Sequence, residues 1–219
     1  RRSHGSRLSL DLEGDSDKLV YIDLLRQYRS LYDLSVLGYC LMSNHVHLVV
    51  TPRKNDSLAL ALKNTHGRYA AYWNATHSSS GHVWQGRYYS CPVDLPHMWS
   101  ALRYTELNPI RAEIVSDPDT YRWPSAAAHC GTAQPDLPLE MDLWRQQWNC
   151  ATWKKYLCDP DAGVDLEAIR QCTHTGRPLG APEFVASLEN STGRLLTPQK
   201  TGRPPRVVAN RNQPLLDFD

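Results

Sequence analysis

Two histidines stand one residue apart in the apolar stretch SNHVHLVVTP, residues 43–52. The β-branched composition predicts a strand, and residues two apart in a strand share one face. His45 and His47 would therefore lie side by side, and the alternate residues would point toward a layer of helices: Val46, Leu48 and Val50. Two imidazoles on a rigid strand can hold a metal ion, although an isolated pair is more often just two satisfied polar side chains.

A second pair of reactive side chains stands in ALRYTELNPIRAEIV, residues 101–115. Tyr104 and Asn108 are four residues apart, so they share one face if this stretch is a helix. A tyrosine hydroxyl can attack a phosphodiester whose phosphate is polarised by a metal, and an amide oxygen suits a hard cation. The alternatives are a packed core tyrosine and an ordinary asparagine at a helix end before Pro109.

The elements that would position these side chains alternate along the first 125 residues. We predict a strand at 7–15, a helix from Ser16 or Asp17, and two strands over 34–43 and 44–52 joined by a tight turn. A helix from Asp56, a strand at 86–94 and a helix over 96–108 follow. This order predicts an α+β fold with an antiparallel sheet, close to the ferredoxin-like split βαβ arrangement.

The remaining chain differs in character. We predict a first domain over residues 1–128, a small helical appendage over 129–192, and a basic, flexible tail over 193–219. The appendage has helical patterns at 139–157, 164–173 and 182–189. The tail has five basic residues and no acidic one between 193 and 213, which is typical of a phosphate-binding arm or of a solvated extension.

Composition excludes some classes of protein. With 41% hydrophobic and 21% charged residues and a net charge of +1, the chain is typical of a globular protein. No apolar run approaches the roughly 18 residues of a membrane span, and no signal peptide is visible, so we expect a cytoplasmic protein without a membrane partner. The six cysteines fit no zinc pattern, and we expect free thiols.

Four stretches in order resemble one family: GYCLMSNHVHLVVTP, VWQGRYYS, ALRYTELNPIRAEIV and TGRPLG. Together they resemble the REP-associated tyrosine transposases, which belong to the single-tyrosine HUH transposases. The resemblance implies that His45 and His47 are metal ligands, that Tyr104 is the catalytic nucleophile, and that Asn108 is the third ligand. It also implies a divalent ion, Mg²⁺ or Mn²⁺, and cleavage of single-stranded DNA at REP-like palindromic hairpins through a 5′-phosphotyrosine intermediate.

Several side chains are candidates for DNA contact. Basic residues around the second helix and the motifs could follow the phosphate backbone, and aromatic residues such as Trp84 could stack on unpaired bases. The two GRP loops add further arginines. The candidates are Arg53, Lys54, Lys63, Arg68, Trp84, Arg87, Arg103, Arg177, Arg203 and Arg206.

Other functions stay open at the sequence level. The family's usual first strand, YHV-x-x-RGN, has no clear counterpart here, and this departure favours a catalytically inactive hairpin-binding protein as the alternative. A hydrolase that uses water as the nucleophile and an RNA-binding module are further rivals. Glu106 stands where the family tends to be apolar or basic, but two residues from Tyr104 it should point elsewhere. We expect a monomer, with a homodimer as the alternative.

Overall fold

The computed structural model describes Leu12 and residues 14–160, 162–163 and 165–197. Within these ranges the elements are, in order, α1 (Asp15–Leu31), β1 (Leu34–Leu41), β2 (Val46–Pro52), α2 (Ser57–Thr76), α3 (Leu95–Glu106), α4 (Asn108–Arg111), α5 (Ala126–His129), α6 (Asp142–Gln147), α7 (Cys150–Cys158), α8 (Leu166–Thr175) and α9 (Pro182–Thr192). The protein is therefore of the α+β class. None of these helices combines the length and hydrophobicity needed to cross a bilayer.

The centre of the fold is the antiparallel hairpin of β1 and β2. Cys40 lies opposite His47, and the amide of Met42 donates to the carbonyl of His45 at 2.9 Å, which closes the predicted tight turn. The two faces of β2 separate as the alternation predicts. One face packs toward the core under α1 and α2, with Val46, Leu48 and Val50, while Val49 joins a second core beneath α3.

The close packing of α3 on this hairpin depends on one glycine, Gly38. A Cβ atom on Gly38 would lie 2.1 Å from Leu102 Cδ1 and 2.9 Å from Ser125 Oγ, so any side chain there would push α3 away from β1. Leu102 is fully buried at this contact. The close approach places the middle of α3, and therefore Tyr104, over the histidine-bearing face of the hairpin.

The predicted strand at 86–94 is wrong. This segment is an extended loop, and its one bridge within the described ranges pairs Val93 with Leu179. Backbone hydrogen bonds on either side fasten the loop to the first of the two GRP-containing segments, residues 176–180: Leu179 N donates to Pro92 O at 2.9 Å and Asp94 N to Leu179 O at 3.2 Å. Most of the loop is exposed, and Pro92 has no amide hydrogen for a ladder, so tertiary bonds replace strand pairing.

The sheet among the described residues consequently has two strands, and the predicted split βαβ arrangement is not confirmed. The predicted strand at 7–15 lies largely outside the described residues, although Leu12 is fully buried and its amide donates to the carbonyl of Ser43 at 2.7 Å. The basic tail beyond residue 197 also lies outside them. All six cysteines are free thiols.

Helices α5, α6 and α7 share a core with α3. The long helical pattern predicted for 139–157 forms two helices, α6 and α7, because Asn149 begins a new helix by accepting from Thr152 N at 2.9 Å. Trp144 and Trp153 from these helices are buried in the same core as Leu37 and Leu102. The domain boundaries stay a prediction, but this part of the chain supports the outer side of α3.

Candidate active site

The two motif histidines meet at the start of β2. His45 ends the turn and His47 is the second residue of the strand, so both side chains emerge on the face covered by α3. Their ring centroids are 4.8 Å apart, with the rings nearly perpendicular. At this spacing the two imidazoles can each direct a nitrogen toward a common point.

Asn44 fixes the tautomer of His45, and the sequence analysis missed this residue. The amide oxygen Oδ1 of Asn44 lies 2.6 Å from His45 Nδ1. Since an amide oxygen can only accept, Nδ1 carries the hydrogen and Nε2 keeps its lone pair for a ligand. A hydrogen-bonding side chain directly before a candidate metal histidine is the signal that could have identified it.

His47 is held neutral by its surroundings. The pKa of His47 is lowered to about 3, first by burial and then by the electrostatic effects of His45 and Arg111. At neutral pH the imidazole is therefore uncharged. A neutral imidazole is the form that coordinates a metal ion.

Tyr104 faces the histidine pair from α3. Its ring centroid lies 5.7 Å from that of His47, and the two rings are nearly perpendicular. The Tyr104 residue is half-buried rather than sealed in the core. The structure thus brings together the strand-borne and helix-borne residues that the sequence singled out.

Asn108 follows on a separate short helix. The helix predicted over 96–108 ends at Glu106, and Asn108 is the first residue of α4 after the cap residue Leu107. Asn108 is buried, and its side-chain nitrogen Nδ2 has no hydrogen-bond partner in the described part of the chain. A buried N–H donor without an acceptor is costly, and an acceptor such as a phosphate oxygen bound beside it would relieve that cost, whereas a cation would use the amide oxygen instead.

The donor set fits a divalent ion held by imidazole and amide groups rather than by a carboxylate cage. No group of three or more His, Cys, Asp or Glu side chains is placed to hold a metal within the described ranges. The residues that would hold an ion are therefore His45 and His47, with the amide of Asn108 as the third candidate. Mn²⁺ accepts mixed nitrogen and oxygen ligands, whereas Mg²⁺ prefers oxygen ligands.

Arg111 is the second residue that the sequence analysis missed. Its guanidinium carbon Cζ lies 3.9 Å from the centroid of the Tyr104 ring, and Nη2 donates to the Tyr104 carbonyl at 2.6 Å. The signal is helical spacing, because residues four and seven positions after Tyr104 return to the same face of a helix.

Glu106 points away from this site, as its position two residues after Tyr104 predicts. The fully buried carboxylate accepts hydrogen bonds from Ser125 Oγ, from His129 Nδ1 at 2.6 Å and from Trp153 Nε1 at 2.8 Å. The helix that carries Tyr104 is therefore tied to α5 and α7 by one side chain.

Three of the predicted DNA-binding cations already have protein partners. Arg53 bonds Ser35 Oγ at 3.1 Å and forms an ion pair with Glu140 at 3.3 Å, and Lys54 pairs with Asp33 at 2.5 Å. Arg103 donates to three carbonyls at the end of α7, those of Tyr156, Leu157 and Asp159. Their predicted contacts with DNA would compete with these bonds.

The other predicted DNA contacts are of three kinds: exposed cations, residues bonded within the protein, and residues outside the described part of the chain. Lys63, Arg68 and Arg87 are exposed and have no ion-pair partner in the described part of the chain. Trp84 is half-buried, because its Nε1 donates to His66 O at 2.9 Å and its ring stacks on the His66 ring at 4.0 Å. Arg177 donates to Leu196 O at 3.3 Å, and Arg203 and Arg206 lie outside the described residues.

The fold and this site define an α+β protein in which a histidine pair on a strand faces a tyrosine on a helix. Residues 11–107, less than half of the chain, match the family described as "Transposase IS200 like". The matched segment includes both histidines and Tyr104, and it supports a transposase that processes DNA. The comparisons with curated proteins and with solved structures gave no significant match.

Proposed function

We propose that this protein is a single-stranded DNA nuclease and strand transferase of the single-tyrosine HUH type, from the REP-associated group, with Tyr104 as the nucleophile. The proposal rests on the close approach of three side-chain rings, those of His45, His47 and Tyr104. His45 and His47 lie 4.8 Å apart, and His47 lies 5.7 Å from Tyr104. A histidine pair next to a half-buried tyrosine suits the transfer of a phosphoryl group to the phenol.

The reaction conserves the number of phosphodiester bonds. The Tyr104 hydroxyl oxygen forms a bond to phosphorus, and the bond between phosphorus and the 3′ oxygen breaks. The phenol loses its proton to water and the departing 3′ oxygen takes one up, so no other reactant is consumed. The products are a 5′-phosphotyrosine and a free 3′-hydroxyl, and attack by a 3′-hydroxyl on the adduct rejoins a strand.

The chain's own residues would hold the divalent ion and orient the phosphate. His45, fixed by Asn44, and the neutral His47 supply two nitrogen ligands, and Asn108 supplies an amide. A bound Mg²⁺ or Mn²⁺ supplies a Lewis acid that offsets the charge developing on the phosphate oxygens. The histidines lie on a hairpin whose first strand is entirely buried, so they keep their positions when DNA arrives.

The proposed substrates are REP-like palindromic hairpins in single-stranded DNA. The support is the resemblance of the motifs and the exposed cations on α2 and in the following loop, Lys63, Arg68 and Arg87. The proposed active unit is a monomer. Its support is that Glu106 and Arg103 fasten α3 to α7 of the same chain, which completes the site within one molecule.

A second candidate is a hairpin-binding protein without cleavage activity. The described residues form only two paired strands, which is fewer than the split βαβ sheet requires, and this observation favours it. The two candidates differ in one product. Only the enzyme forms a covalent bond between DNA and protein.

The test uses a pool of single-stranded DNA hairpins with randomised loops and flanks, labelled at either end. We expect an adduct that survives denaturing electrophoresis, carries the 3′ label and not the 5′ label, and disappears with EDTA. Tyr104→Phe should abolish the adduct, and Tyr88→Phe is the matched control because it removes a hydroxyl from a loop tyrosine. His45→Ala and His47→Ala should abolish the adduct but preserve binding. An adduct formed by Tyr104→Phe would contradict the assignment, and binding without any adduct would favour the second candidate.

A further inference from the structure

Arg111 is a half-buried cation without an acidic partner in the described part of the chain. It follows Tyr104 by seven residues, a rise of about 10 Å along a helix, and side chains lean toward the helix N-terminus. The path from α3 into α4 stays nearly helical, since Arg111 N donates to Leu107 O and Ala112 N to Asn108 O, both at 3.0 Å. Arg111 therefore reaches back along the same face and covers the Tyr104 ring.

The position of Arg111 is more specific than that of a helix cap. A cap requires only the bond from Nη2 to the carbonyl of Tyr104. The guanidinium also stacks on the ring of that tyrosine, with Cζ 3.9 Å from the centroid, and the same ring lies 5.7 Å from the ring of His47, centroid to centroid. The Arg111 guanidinium, the Tyr104 phenol and the histidine pair therefore lie next to one another.

The surroundings of the Arg111 guanidinium are electrostatically suited to an anion. Burial lowers the pKa of Arg111, Tyr104 raises it and the positive charge of Arg170 on α8 lowers it, and no acidic side chain pairs with the guanidinium among the described residues. One of its five N–H groups bonds the Tyr104 carbonyl, which leaves donors for another acceptor. A planar guanidinium with free donors matches the oxygens of a phosphate.

We propose that Arg111 is a further catalytic residue, which binds a non-bridging oxygen of the scissile phosphate and of the phosphotyrosine that replaces it. The inference rests on the proposed function and deepens it. Stacking sets the orientation of the Tyr104 ring, and the free N–H groups hold the phosphorus in line with the phenol oxygen. The same contact would persist in the adduct and keep it ready for attack by a 3′-hydroxyl.

The first test measures binding without catalysis. In EDTA, the affinity of the hairpin pool is followed by fluorescence anisotropy over a range of NaCl concentrations. Arg111→Gln should reduce the slope of log K against log salt by about 0.7, the contribution of one phosphate contact on a single strand. Arg122→Gln is the matched control, because Arg122 also stacks on an aromatic ring, 4.6 Å from Trp123, but pairs with Asp15 at 2.8 Å. Its slope should equal that of the wild type, and an equal slope for Arg111→Gln would overturn the contact.

The second test removes the charge from the substrate instead. A hairpin that the wild type cleaves is made again with a methylphosphonate at the scissile position. On the ordinary phosphate, Arg111→Gln should slow single-turnover adduct formation by roughly 10²–10³-fold, the usual effect of losing one preorganised donor. On the methylphosphonate the ratio between wild type and variant should fall below about tenfold, because the oxygen charge that Arg111 offsets is gone. If the ratio of wild-type to variant rates were the same on both substrates, Arg111 would act only as a structural helix cap, and the proposal would be overturned.

The outcomes separate the two proposals. If the wild type forms no adduct, the proposed function fails. If it forms the adduct and Arg111→Gln does so at the same rate, only the role of Arg111 fails. Should Arg111→Gln not fold, Arg111→Lys decides: with a wild-type melting curve and salt slope, it should still lose about tenfold in rate, because lysine cannot make the planar contacts. Wild-type rates from Arg111→Lys would overturn the proposal.

Discussion

Glu106→Gln tests how the helix of Tyr104 is held. The buried carboxylate accepts from Ser125, His129 and Trp153. Glutamine keeps one acceptor oxygen, which can serve Ser125 and His129 because both bond the same oxygen, Oε1. Its NH₂ group then faces the indole N–H of Trp153, so two donors oppose each other.

The expected loss of stability follows from these contacts. A buried donor left without an acceptor costs about 1–3 kcal/mol, and a bond to a charged acceptor contributes about 1.5–3 kcal/mol. We therefore expect Glu106→Gln to lower the free energy of unfolding by about 2–4 kcal/mol. For a chain of this size each kcal/mol shifts the melting temperature by about 2–4 °C, which gives a decrease of roughly 5–15 °C.

A double-mutant cycle separates the opposed donors from general disruption. Trp153→Phe removes the indole N–H, so it should cost less in the Glu106→Gln background than in the wild type, with a coupling of about 1–2 kcal/mol. Trp144→Phe is the matched control, because Trp144 is buried in the same core and its Nε1 has no hydrogen-bond partner among the described residues. Urea unfolding followed by circular dichroism gives the free energies. Equal coupling to both tryptophans, or a Glu106→Gln protein as stable as the wild type, would refute the reasoning.

Three further predictions concern the metal, the DNA and the pH. Asn44→Ala should weaken Mn²⁺ binding by about 10–100-fold in calorimetry, because His45 loses the partner that fixes its tautomer, and unchanged affinity would contradict this role. Lys63→Gln should lower the salt slope of hairpin binding by about 0.7, while Lys54→Gln, which removes a paired charge, should change it less; equal effects would argue against the exposed surface of α2 as the contact. Burial lowers the pKa of His66 to about 4 from an unfolded value of about 6.5, so the stability is full above pH 6.5 and falls by about 3 kcal/mol toward pH 4. His66→Gln should flatten the urea-unfolding profile over that range, and an unchanged profile would exclude the histidine as its cause.

The hairpin of β1 and β2 could be predicted because its determinants are local. The alternation of apolar residues selects the faces of β2, and the turn between the strands needs only the residues it contains. The bond from Met42 N to His45 O shows that the turn lies where the sequence placed it. Since the turn and the alternation also position His45 and His47, half of the candidate site follows from 10 consecutive residues, 43–52.

The segment 86–94 could not be predicted in the same way. Its aromatic and β-branched residues are typical of a strand, but its side chains have separate tertiary partners. Tyr88 lies near His66 on α2, and Tyr89 contacts His174 on α8. Contacts with helices before and after the loop decide its path, and no local pattern contains them.

The two sides of α3 show where such prediction ends. The site side, which continues from α3 into α4, could be extended from the sequence alone, because Tyr104, Asn108 and Arg111 recur at positions i, i+4 and i+7, and the nearly helical path places all three on one face. The opposite side could not. Glu106 is buried because Ser125, His129 and Trp153, between 19 and 47 residues further along, supply donors for it. Its charge predicts exposure until those donors are known. The position of a reactive side chain can therefore be predicted from the sequence of its own helix. The hydrogen bonds that hold that helix against the sheet cannot be predicted in this way, because they depend on residues that only the fold brings near.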